Sequence, residues 1–185
     1  KGSLHTDELL RAVLAEPALR SGRRLSHVFR FDVPLYAKPL LITDAAINIS
    51  PSLTDKADIA QNAIDLARVL GVDAPKVAVL AAVAANMPST LDAAALCKMA
   101  DRGQICGGML DGPLAFDNAI SVEAARIKGI RSEVAGNADI LLVPDLESGN
   151  MLAKQLEYLG GASGSGVVLG ARVPIALTSR ADGPR

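Results

Sequence analysis

The chain has 185 residues, nineteen of them Lys or Arg and twenty Asp or Glu, for a net charge of −1. Half the residues are apolar, only 3% are aromatic and there is no Trp. The balanced charge, without a Lys/Arg block and interleaved aromatics, argues against a nucleic-acid partner and for a small ligand. An apolar mass of Ala, Leu, Val and Ile favours an α/β fold over an aromatic-cornered sandwich.

In chain order, apolar spacing predicts a helix over 6–19, with Thr6 as its N-cap and Asp7 and Glu8 in its first turn. Strands follow at 28–31 and 39–43, with Pro34 and Pro39 marking the turn between them. A helix over 53–70 puts Ile59, Ala63, Leu66 and Leu70 on one face, capped by Thr54 and closed by Gly71. The run at 77–83 reads as a buried parallel strand, and the apolar stretch 77–85 that contains it is too short to cross a bilayer at about 1.5 Å per residue. Helices over 90–100 and 117–128 flank a short strand at 108–111, and a strand at 139–143 leads to a helix reaching 159. This alternation is the pattern of βαβ units with ligands at the carboxyl ends of the strands.

The Gly/Ser patch at 160–166 reads as a hinge, because its glycines follow a helix and precede a strand, the reverse of a dinucleotide fingerprint. Without a signal-like start, the chain is expected to be cytoplasmic, with no membrane partner and with Cys97 and Cys106 reduced.

Several polar groups stand where strands end. The final apolar strand from 166 delivers Ser179, Arg180 and Asp182 together, and an arginine fork beside a hydroxyl suits a phosphate or carboxylate. A polar turn after a core strand is the alternative. Asp111 and Asp145 each follow an apolar run and could serve as base, metal ligand or helix cap; Asp117 and Glu147 read as capping residues. His5, with Ser3 and Thr6, precedes a helix start, where free N–H groups attract anions. His27 reads as a core or surface histidine. Of Arg23 and Arg24, one can reach a ligand while the other is solvated.

Four segments taken together, GSLHT at 2–6, DGPLAFDNA at 111–119, VAGNADILLVPDLESGN at 134–150 and TSRAD at 178–182, resemble the phosphate acetyltransferase and butyryltransferase family. MPST at 87–90 and MADRG at 99–103 resemble its butyryltransferase branch, and the whole is similar to the acyltransferase part of bifunctional enoyl-CoA hydratase proteins. The resemblance implies acyl transfer between acyl-CoA and inorganic phosphate, with no cofactor or metal and coenzyme A as substrate. It implies a two-lobed isocitrate/isopropylmalate dehydrogenase-like fold, incomplete at both ends, in a homodimer. Residues 1–32 plus 166–185 would belong to the first lobe and 33–165 to the second. By motif, Ser179, Arg180 and Asp182 would be catalytic, and Arg24, Gly2, Ser3, His5 and Thr6 would bind substrate. A non-catalytic module for acyl-CoA binding and oligomerisation is the competing reading.

Overall fold

The computed structural model describes residues 4–82 and 86–176. Their centre is a six-stranded sheet in the order β4-β3-β5-β2-β1-β6. Strands β2 (Leu40–Thr43), β3 (Lys76–Leu80), β4 (Met109–Leu114) and β5 (Ile140–Leu142) are parallel, as the continuous apolar runs of β3 and β5 predict. β1 (Ser26–Asp32) departs from the expected βαβ pattern and pairs antiparallel with β2. The 33–39 connection is shorter than the dozen or so residues a parallel crossover needs, so the chain turns back on itself. β6 (Ser163–Leu169) pairs antiparallel with β1 along its whole length, from Ser26 against Leu169 to Asp32 against Ser163.

Helices cover both faces. On one, Ile59, Ala63 and Ile64 of α2 (Leu53–Val69) and Leu96 of α3 (Pro88–Asp101) pack on Val77, Val79, Ile140 and Leu142. On the other, Ala119 of α4 (Phe116–Ile120) and Ala153 of α6 (Leu146–Tyr158) meet Ala78, Leu80, Ile42 and Leu141. Alternate strand residues therefore feed two cores. A third, smaller cluster docks α1 (Thr6–Ala15) through Leu10 onto Leu25 and Val168.

Local chemistry moves several boundaries. α2 is capped by Ser52, whose hydroxyl accepts the Asp55 N–H at 3.2 Å while the Asp55 carboxylate accepts the Ser52 N–H at 3.0 Å, so Thr54 lies inside the first turn. α3 starts at Pro88, ahead of the expected position 90, because proline suits a helix's first turn. The helix expected over 117–128 is two, since Ser121 leaves helical geometry to cap α5 (Val122–Ile127) through the Ala124 N–H.

The expected hinge at 160–166 is a turn only at its start; from Ser163 it is strand β6. A Cβ on Gly164 would sit 2.5 Å from the Phe31 ring, and one on Gly166 would sit 2.5 Å from the His27 ring. Side chains of β1 therefore lie over β6, and glycine is what leaves them room. The strand expected from 166 onward breaks at Gly170 (φ 94°), after which Ile175 returns to bridge Val168.

Candidate active site

Because β1 runs antiparallel to β2, the start of β1 lies beside the carboxyl end of β2, with the end of β6 on its other side. Arg24, just before β1, is thereby carried to the edge where a parallel sheet opens its ligand crevice. The loop after β2 meets it there.

Asp44 is the first residue past β2, and only 3% of it is exposed. One carboxylate oxygen accepts the N–H groups of Ala46 and Ile47 at 2.9 and 3.0 Å. The other accepts the His27 N–H at 3.2 Å, the Asn48 N–H at 3.3 Å and the Asn48 side-chain amide at 2.6 Å. These donors compensate a charge that burial alone would make very costly. Asn48, buried in turn, donates a second bond to the Leu25 carbonyl at 2.8 Å and accepts one from Arg24 Nε at 2.7 Å.

Arg24 is held from other sides as well. Its backbone N–H donates to Asp58 at 2.9 Å, its carbonyl accepts from Asn62 at 3.0 Å, and its Nη1 stands 3.6 Å from an Asp55 oxygen. The Ser52 hydroxyl, then the Ser52 N–H, and then the Arg24 charge hold the Asp55 carboxyl below its ordinary value, so it stays ionised. About half of the Arg24 side chain remains exposed, at 53%. With Nε engaged and Nη1 beside Asp55, the outer N–H groups of the guanidinium are open to an anion only in competition with that carboxylate.

The other candidates have different surroundings. Arg23, left open against Arg24, turns away to pair with Asp65 of α2 at 2.5 Å. It helps line a groove of about 370 Å³ between α2 and the segment after β6, together with Ser21, Asn62 and Leu169. Another cavity of about 370 Å³ lies at the opposite, amino-terminal end of β4, near Asp101 and Arg131, away from these residues. His5, rather than Thr6, is the N-cap residue of α1, and α1 reaches the Arg24 edge through Leu10 on Leu25. Among the described residues, His5 and Arg24 share no hydrogen bond or ion pair. Gly2, Ser3, Ser179, Arg180 and Asp182 lie outside the described residues.

Asp145 caps α6 by accepting the Ser148 N–H at 2.8 Å, and Asp111 lies within β4, where it accepts the Gly112 N–H at 2.9 Å. Neither Asp117 nor Glu147 is a cap residue: Ala115 and Asp145 hold those positions, and Asp117 pairs with Lys128 at 2.8 Å. His27 is buried in the core, but among the described residues its Nδ1 has no hydrogen-bond partner. Burial pushes its imidazole below the ordinary value, against the opposing pull of Asp44.

Sequence reasoning missed Asp44, Asn48 and Asp55. The rule that singled out Asp111 and Asp145, a carboxylate just past an apolar run, applies equally to Asp44 after the 39–43 strand.

The sheet order and its covering helices define the class, a mixed α/β protein, and its fold is similar to that of solved phosphotransacylases. A branched-chain phosphotransacylase from Enterococcus faecalis V583 superposes with a TM-score of 0.89 at 36% identity, over 98% of this chain and 66% of that one. A phosphotransacetylase from Streptococcus pyogenes gives 0.84 at 29%, over 97% and 56%. The family profile Phosphate acetyl/butaryl transferase matches residues 1–184, and the chain belongs to that family. It is 65% identical to a phosphate acetyltransferase of Rhizobium meliloti over 100% of this chain and 60% of the relative. It is 47% identical to a phosphate butyryltransferase of Clostridium acetobutylicum over 98% of this chain and 62% of the relative. The chain thus spans under two thirds of either relative's length.

Proposed function

We propose that the intact protein moves an acetyl or short-chain acyl group between coenzyme A and inorganic phosphate. The observation that carries this reading is the half-exposed Arg24 guanidinium, fixed at the carboxyl edge of the sheet in a chain of this family. The thiolate of coenzyme A attacks the carbonyl of the acyl phosphate, the tetrahedral intermediate collapses, and phosphate leaves with the bonding electrons. Catalysis then consists of holding the phosphate, stabilising the oxyanion and removing the thiol proton.

In this proposal Arg24 and Arg180 hold phosphate oxygens, Ser179 hydrogen-bonds the thiol or the oxyanion, and Asp182 stands near the proton. Gly2, Ser3, His5 and Thr6 contribute the loop across the cleft. No acyl-enzyme is required. Burial, then the charges of Asp111 and Asp101, push the Cys97 thiol up to about 12, which suits a packing role rather than a nucleophilic one.

The proposal extends to an isocitrate/isopropylmalate dehydrogenase-like subunit of two lobes, 1–32 plus 166–185 against 33–165, with β1 and β6 at the junction. It extends also to a cytoplasmic homodimer. The test is release of coenzyme A from acetyl-CoA and butyryl-CoA by the full-length protein. Release that requires phosphate supports the reading, whereas binding of both thioesters without release favours a non-catalytic module.

A further inference from the structure

Asn48 has an orientation that chemistry dictates. Its amide nitrogen faces two acceptors, an Asp44 oxygen at 2.6 Å and the Leu25 carbonyl at 2.8 Å. The amide oxygen must then face the remaining neighbour, which is a donor: Arg24 Nε at 2.7 Å. Asp44 is itself locked by backbone N–H groups from two elements, those of His27 in β1 and of Ala46, Ile47 and Asn48 in the loop after β2. A chain of buried hydrogen bonds thus runs from the sheet into the guanidinium.

We propose that Asn48 is a positioning residue for phosphate binding, setting the direction of the Arg24 fork; this rests on the reading of Arg24 as an anion-binding group. An arginine tethered only through its flexible stem pays conformational entropy each time it grips an oxyanion. One tethered at Nε presents its outer N–H groups already aimed. No common replacement fills the role of Asn48. Aspartate cannot donate and would set a second carboxylate against Asp44. Alanine removes both halves of the relay. Serine has the groups to donate to Asp44 and accept from Arg24, but its single hydroxyl proton cannot also serve the Leu25 carbonyl, so it restores only part of the relay.

The test is a double-mutant cycle in the full-length protein, reading KM for phosphate, KM for acetyl-CoA and kcat for Asn48→Ala, Arg24→Ala and the double variant. Asn48→Ala is expected to raise KM for phosphate about ten- to a hundredfold, the scale of a misaimed binding group, with a smaller change for acetyl-CoA. In the Arg24→Ala background the same change should add no more than about twofold. Unchanged phosphate binding in Asn48→Ala, or effects that simply multiply in the double variant, would overturn the proposal while leaving Arg24 as the anion site. Unchanged kinetics in Arg24→Ala would overturn the anion-binding reading itself, and the proposal with it. If Asn48→Ala does not fold, Asn48→Ser takes its place in the same cycle, with a partial rise in KM expected and the same two contrary outcomes.

Discussion

Arg23 and Arg24 are adjacent in the chain but point to different partners: Arg23 pairs with Asp65 at 2.5 Å along α2, while Arg24 donates to Asn48 at 2.7 Å at the sheet edge. An exposed ion pair of the first kind is worth no more than about 1 kcal/mol. Arg23→Ala is therefore expected to leave phosphate-dependent turnover within about twofold of the parent and to lower stability by that small amount. Steady-state kinetics and a chemical melt check both. A large loss of turnover would mean that the two arginines have been assigned the wrong way round.

The glycines of β6 make a packing prediction. At 164 and 166 an added methyl would meet the rings of Phe31 and His27, so Gly164→Ala and Gly166→Ala should each destabilise the fold by about 1–3 kcal/mol. Ser165 lies between them and is exposed, so Ser165→Ala should stay within about 0.5 kcal/mol. Urea denaturation of the three variants separates a packed strand from a hinge, where all three would be equally mild.

The contrast shows what was and was not legible. β3 and β5 could be read directly, because strands buried on both faces need the continuous apolar runs seen at Val77–Leu80 and Ile140–Leu142. α2 was legible from its apolar face, and the long motifs carried the family. β6 was not, since glycines that admit a neighbour's ring look the same in one dimension as glycines that loosen a chain. The Arg24–Asn48 contact was equally hidden, because it depends on the antiparallel return of β1 beside β2. Pro34 and Pro39 mark the turn that makes this return, but nothing in the sequence says which side chains it brings together.

His27 predicts a pH dependence of stability. Burial keeps its folded-state pKa below the ordinary 6.5, so in acid the unfolded chain takes up a proton more readily than the folded one. Stability should therefore fall as pH drops below about 6.5, and this contribution should level off beneath the folded-state value. His27→Phe keeps a ring against Phe29 and Gly166 but removes the titration. Melts between about pH 7.5 and pH 5.5 should show a smaller loss of Tm in that variant than in the parent. An identical loss in both would assign the acid sensitivity to other groups.

If the Arg24 edge is where phosphate is held for acyl transfer, kcat/KM for phosphate in full-length Arg24→Ala, measured beside the parent with a thermal melt of each, must report it. The predicted result is a loss of about 10²–10³ in kcat/KM, the scale of removing a charge-stabilising donor, with the melt lowered by no more than the roughly 1–3 kcal/mol of leaving the Asn48 oxygen unpaired. Arg24→Lys should recover only part of it, because an ammonium restores the charge but neither the fork nor the Nε donor that Asn48 accepts. Turnover near that of the parent in Arg24→Ala, or a collapse of the melt in step with the lost activity, would contradict the account.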